Sequence, residues 1–265
     1  MCFDHDSRPP IAPIAGGALD SRELTLVAND GNRFSAFSAR AAAPTGAGML
    51  VLPDVRGLNA YYEDLALRFA ENGIDALAID YFGRTAGPGR RESGFDHQPH
   101  VRQLTADGLA ADVRAAAMTL RSEPGGRVAR LFTIGFCVGG RLSFISATLG
   151  LDLAGVIGFY GWPVGQHRSN TPAPADVADR IASPVLAIFG GEDEAIPPDA
   201  VATFEAALKV AGVDNRVITY PGAPHSFFDK KADEYSKTSE AAWAEVLGFV
   251  GRNSSLATAG AAAPA

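Results

Sequence analysis

The chain predicts an α/β fold, a mostly parallel eight-stranded sheet with helices on both faces, and its 265 residues suit a single globular domain. Three observations lead there. Short apolar runs recur with amphipathic segments between them, the pattern of a sheet covered on both sides. The first two runs are joined by a hairpin turn signal, so the sheet opens with an antiparallel pair. Residues capable of chemistry fall just beyond the ends of the runs, where open α/β sheets bind ligands.

Taken in order, "ELTLVA" and "RFSAFSA" flank the turn "NDGN". "GMLVLPD", "DALAID", "RLFTIGF", "AGVIGFYG", "PVLAIFG" and "RVITYPG" follow as the remaining strands. Helices fill the gaps. Leu109, Val113, Ala116, Ala117 and Leu120 make one buried stripe, and Ser239, Trp243, Val246, Leu247 and Val250 repeat the spacing near the end. Residues 1–18 and 252–265 are rich in Ala, Gly and Pro and are expected to be mobile, leaving 19–251 as the folded domain. The polar segment 87–100 reads either as a flap near the site or as a surface loop.

With 47% hydrophobic and 20% charged residues, the composition supports a full core. A formal charge of -7 and the lack of any Lys/Arg block argue against nucleic acid or an anionic membrane as partner. The opening "MCFDHDSRPP" lacks a signal-peptide core, and no apolar run approaches a membrane span, so a cytoplasmic location is expected. Two cysteines, Cys2 and Cys137, form neither a disulfide framework nor a metal-ligand set.

Cys137 sits at the centre of G-x-C-x-G, between the fifth run and a helix. Gly135 and Gly139 leave room for a tight turn that exposes the central side chain, and the helix N-terminus favours a thiolate. The backbone N–H of Val138 would face a developing oxyanion. A buried structural cysteine before a Gly-rich turn is the plainer alternative. Asp193 follows the seventh run and His225 the eighth, so the chain order is nucleophile, acid, base. Histidine accepts the thiol proton and aspartate orients the imidazole. Glu192 and Glu194 are neighbouring alternatives for the acid, and Asp193 alternatively caps a loop. His5, His97, His100 and His167 lie in segments without this strand-end context.

From about residue 20 to 250 the sequence resembles the dienelactone hydrolases, the carboxymethylenebutenolidases of aromatic-compound breakdown. The resemblance rests on "LPDVRGLNAYYEDLALRFAENGIDALAIDYFGRTAG", "IGFCVGGR", "VLAIFGGEDEAIPP" and "GAPHSFFD". It implies an α/β-hydrolase fold, a triad of Cys137, Asp193 and His225, and no cofactor or metal. It also implies that Asp54, one methylene shorter than the family's usual glutamate, helps generate the thiolate, and that Val55 supplies an oxyanion N–H. A strand-end cap or a salt bridge to Arg56 is the other reading of Asp54, since residues two apart on an extended segment point the same way.

Family substrates carry a carboxylate that two arginines hold. Arg84 matches the first, whereas the second position here is Asp229. An acid there repels an anionic ligand. Either Arg56 serves as the second cation or the substrate carries less negative charge. Tyr160 and Trp162, with Tyr81, Phe82, Phe136 and Phe227, line the pocket mouth or pack in the core. The expected function is therefore hydrolysis of a small-molecule ester or lactone, a dienelactone-type enol-lactone foremost, through a thioacyl-enzyme. A general carboxylesterase and a non-catalytic binding protein on the same fold are the alternatives.

Overall fold

The computed structural model describes residues 3, 4, 6–122 and 128–255. Eight strands form one sheet in the order β1-β2-β4-β3-β5-β6-β7-β8. They are β1 (Ala18–Val27), β2 (Arg33–Ala41), β3 (Ala47–Leu52), β4 (Asp75–Ile79), β5 (Arg130–Phe136), β6 (Leu153–Phe159), β7 (Val185–Gly190) and β8 (Asn215–Tyr220). Every expected run is a strand. The β1–β2 pair is antiparallel across the predicted turn, and β2 also runs antiparallel to β4; from β4 through β3 to β8 the pairing is parallel. Strands β3, β4, β6 and β7 are buried along their whole length, which is why they read as unbroken apolar runs.

The helices are α1 (Ala60–Glu71), α2 (Gly83–Ala86), α3 (Gln98–Val101), α4 (Ala106–Ser122), α5 (Val138–Ser146), α6 (Pro198–Val210) and α7 (Ser236–Ser255). The chain moves from β3 through α1 to β4, then back past β3 through α4 to β5. Right-handed crossovers in opposite directions put their helices on opposite faces. Accordingly α1 meets α7 through Phe69 and Trp243, with ring centroids 4.9 Å apart, while α5 meets α6 through Phe144 and Phe204, also 4.9 Å apart. The reversal at β3 opens a crevice between the carboxyl ends of β3 and β5.

Part of the segment expected to be mobile packs against the domain. Phe3 is buried and stacks on Tyr61 at 4.2 Å, and buried Ser7 donates to Asp229 Oδ2 at 2.6 Å. At the other end α7 continues to Ser255, past the expected boundary at 251, and residues 256–265 lie outside the described residues. Segment 87–100 is fastened to the sheet: Arg91 Nε donates to buried Asp80 Oδ2 at 3.0 Å, and Phe95 packs on Phe82 with centroids 5.5 Å apart. Among the described residues no helix is long and apolar enough to cross a membrane.

Candidate active site

The site begins with a backbone constraint. Cys137, the one cysteine among the described residues, has φ 54° and ψ -116°, a conformation that side chains with a Cβ rarely adopt. Its N–H donates to Phe159 O at 3.0 Å, and α5 starts at the next residue. The two flanking glycines are required by contact. A Cβ on Gly135 would lie 1.9 Å from the Gly139 carbonyl oxygen, and one on Gly139 would lie 2.1 Å from Leu52 O. Gly139→Ala is therefore expected to destabilise the fold by on the order of 3 kcal/mol, because only rigid backbone surrounds the added methyl. Gly251→Ala, in α7 with nothing within 4 Å, is the matched control and should leave the urea midpoint unchanged or raise it by helix propensity. Equal midpoints for the two variants would refute the contact argument.

His225 and Asp193 arrive from the ends of β8 and β7. His225 Nδ1 lies 2.7 Å from Asp193 Oδ2, and the imidazole is also hydrogen-bonded to Cys137. Asp193 is itself fixed, since its Oδ1 accepts from Ala195 N at 2.9 Å and from Ile196 N at 3.2 Å. Glu192 and Glu194 are exposed while Asp193 is buried, so the geometry selects Asp193 among the three acids. Burial alone lowers the basicity of the imidazole, but the bonds to Asp193 and Cys137 outweigh it and raise the His225 pKa to about 9. Tyr160, in the left-handed region with φ 37°, sets its ring 4.8 Å from that of His225.

Cys137, His225 and Tyr160 share a cleft of about 440 Å³, a size suited to a small ligand. Val138 and Trp162 line it beside Cys137 and His225. A larger hollow of about 1000 Å³ lies at the opposite, amino end of β7 and β8. Among the described residues it holds no thiol or histidine, and its Arg216 is committed to Glu245 at 2.9 and 2.6 Å. Chemistry favours the smaller cleft.

The loop after β3 is held from below. Asp54 N donates to Tyr62 Oη at 2.9 Å, and Tyr81 Oη lies 2.7 Å from both the Pro53 and Asp54 carbonyl oxygens. Asp54 is buried and takes the salt-bridge reading: Arg56 Nε is 3.1 Å from each of its oxygens, and Arg56 N donates to Oδ1 at 2.8 Å. Burial pushes the Asp54 carboxyl up, Arg56 pulls it down, and the nearby Cys137 charge pushes it up again. Val55 is buried in this loop.

Several residues expected at the substrate stand elsewhere. Arg84 is bound to Asp112 through Nε at 3.0 Å and Nη2 at 2.9 Å, and to Asp30 through Nη1, so two carboxylates answer its charge away from the cleft. Arg56 spends its charge on Asp54 and donates through Nη1 to Asp4 O at 2.6 Å. Tyr81 supports the β3 loop from beneath, and Phe227 is buried in an aromatic cluster with Tyr160 and Tyr220. Neither lines the cleft. Asp229 faces Ser7 and Lys231 N, not the thiol.

What sequence reasoning missed is the loop after β6. It brings Gln166, His167 and Arg168 to the cleft wall. The strand-end rule that located Cys137, Asp193 and His225 also covers this loop, and applied to "GWPVGQHRSN" it would have found them.

A thiol on a left-handed turn at a helix N-terminus, joined to a histidine–aspartate pair above a parallel sheet, defines the class: an ester or lactone hydrolase with the α/β-hydrolase fold. The profile of the dienelactone hydrolase family matches residues 34–254, and the chain belongs to that family. A Salmonella typhimurium protein named "Putative carboxymethylenebutenolidase" is 29% identical over 251 residues, covering 90% of this chain and 91% of the relative. A Bradyrhizobium protein named "Probable 2-oxo-3-(5-oxofuran-2-ylidene)propanoate lactonase" is 30% identical over 203 residues, covering 75% of this chain and 81% of the relative. The crystal structure of a Klebsiella pneumoniae protein described as a "Putative Dienelactone Hydrolase" superposes with a TM-score of 0.75 at 26% identity, over 88% of this chain and 99% of that one.

Proposed function

We propose that this hydrolase opens an enol-lactone or activated ester through a thioacyl-enzyme, with Cys137 as nucleophile, His225 as proton carrier and Asp193 as the group that orients it. One observation carries the reading: His225 is hydrogen-bonded to Asp193 on one side and to Cys137 on the other, inside a cleft of substrate size. With the imidazole raised to about 9, His225 carries a proton near neutral pH, and the α5 N-terminus at Cys137 favours a thiolate beside it.

Sulfur attacks the carbonyl carbon, and the C=O electron pair moves onto oxygen. The Val138 and Val55 N–H groups are the donors for that oxyanion. Collapse breaks the C–O bond, and the leaving oxygen takes the proton from His225, giving a thioester and a neutral imidazole. Acylation also removes the thiolate charge that held the imidazole up, so His225 is a base when water arrives. It takes a proton from that water, hydroxide adds to the thioester, and collapse expels the thiolate with the free acid. Because thiolate is a good leaving group, forward collapse needs an equally good one on the substrate, which favours enol-lactones over amides. Asp54, clamped by Arg56, fixes the loop that carries Val55.

The test is turnover of a carboxylated enol-lactone beside a chromogenic acetate ester by the wild type, Cys137→Ala and Cys137→Ser. Cys137→Ala is expected to lose at least about 10³-fold in kcat, and an acyl adduct on Cys137 should be seen by mass spectrometry of the quenched wild type. Full activity in Cys137→Ala would refute the assignment. A neutral-ester carboxylesterase is the second reading, favoured by Asp229 at the family's second arginine position and by the double neutralisation of Arg84. Wild-type preference for the methyl ester over the free-acid lactone would select it.

A further inference from the structure

We infer that Arg168, on the loop after β6, forms the anion-binding end of the Cys137 cleft and selects substrates that carry a carboxylate. This deepens the lactone reading and rests on it for the substrate class. The charge pattern argues first. Among the described residues no aspartate or glutamate lines the cleft, and Arg168 is its one arginine. The cations expected to serve a carboxylate are already answered, Arg84 by Asp112 and Asp30 and Arg56 by Asp54. Arg168 is exposed, and among the described residues its side chain meets only the neutral Gln98 Oε1, at 3.3 Å. A planar guanidinium beside the reacting thiol and free of carboxylates suits a bidentate carboxylate.

The mounting of the loop argues second. Arg141, on the nucleophile's own helix, is fully buried. It donates to Trp162 O at 2.8 Å, Gly165 O at 3.3 Å, Thr171 O at 3.0 Å and Thr171 Oγ1 at 3.1 Å. Asn170 N is tied to Leu104 O at 3.0 Å. Gly165 and Thr171, on either side of Arg168, are thus both anchored to the helix that begins just after Cys137, which holds the backbone of the loop against that helix. Next to it, His167 Nδ1 accepts from Ser169 N at 3.1 Å, which leaves the imidazole proton on Nε2. Burial and the charges of Arg141 and Arg168 lower the His167 pKa to about 4, so beside Arg168 it acts as a neutral donor.

Alkylation of Cys137 tests the cation without relying on any lactone. Thiolate displaces iodide from iodoacetate, an anion, or from iodoacetamide, its neutral analogue, and peptide mapping separates Cys137 from Cys2. The iodoacetate-to-iodoacetamide rate ratio is expected to fall by on the order of ten-fold in Arg168→Ala and less in Arg168→Lys, which keeps the charge without the planar fork. A ratio unchanged in Arg168→Ala overturns the inference. In parallel, the kcat/KM ratio of a carboxylated enol-lactone to its methyl ester should drop in the same variant by a similar factor. If the alkylation ratio responds but the wild type cleaves no lactone, the anion site stands and the substrate assignment fails. If the lactone is cleaved and both ratios ignore Arg168, the lactone reading stands and the anion site fails.

Discussion

Asp193→Asn is expected to lower kcat by about 10⁴-fold while leaving the protein folded. The prediction follows from how the carboxylate is held. Asp193 Oδ1 accepts two backbone N–H groups, from Ala195 and Ile196. In the variant that position can be filled only by the amide oxygen, which turns the NH2 group toward His225 Nδ1. An NH2 facing Nδ1 makes that nitrogen an acceptor and forces the imidazole proton onto Nε2, the wrong tautomer for a base. The variant also loses the charge that stabilises imidazolium. The His225 pKa, followed by NMR of its ring C–H, should therefore move down from about 9. With the raised pKa, the wild-type imidazolium persists between the ordinary histidine value of 6.5 and about 9 and is lost as pH rises through that upper value. A variant within ten-fold of wild type, or an unmoved histidine titration, would remove Asp193 from the proposed triad.

The second large effect belongs to Arg141, which touches no substrate. Arg141→Met is expected to lose roughly 3 to 5 kcal/mol of stability, because the loop carbonyls it serves are left without a donor and the methionine can replace only its volume. Its guanidinium is pulled down only to about 10 by burial, with Asp176 partly opposing, so it remains charged at neutral pH. The loss should appear as a lower urea midpoint at unchanged slope, with faster hydrogen exchange concentrated in residues 161–173. Arg141→Lys should recover little, since a single ammonium cannot reach acceptors spread from Trp162 to Thr171. A loss below about 1 kcal/mol would mean that water replaces the guanidinium without penalty.

The strands and the central trio were legible because each signal is local. A buried parallel strand is a run of apolar residues, and the turn around Cys137 is written in two glycines that tolerate no Cβ. Asp193 and His225 lie at the ends of successive strands, so knowing the strands located them. Arg84 shows the limit. Its residue type and its motif suit a carboxylate, yet its charge is taken by Asp112 and Asp30, which lie 28 and 54 residues away in the chain. By position alone Asp229 is a repulsive group at the substrate, whereas it is hydrogen-bonded to Ser7 of the N-terminal segment, distant in sequence.

By itself, then, the sequence determined the α/β-hydrolase sheet, the strained turn at Cys137 and the chain order of cysteine, aspartate and histidine, because periodicity, glycine sterics and strand ends act over a few residues. Only the tertiary structure decided which cations and anions answer one another and which are left facing the cleft. A charge is neutralised by whatever folding brings within a few ångströms, and those partners come from distant parts of the chain. Arg56 and Arg84 are paired by that geometry, and Arg168 is left beside the thiol.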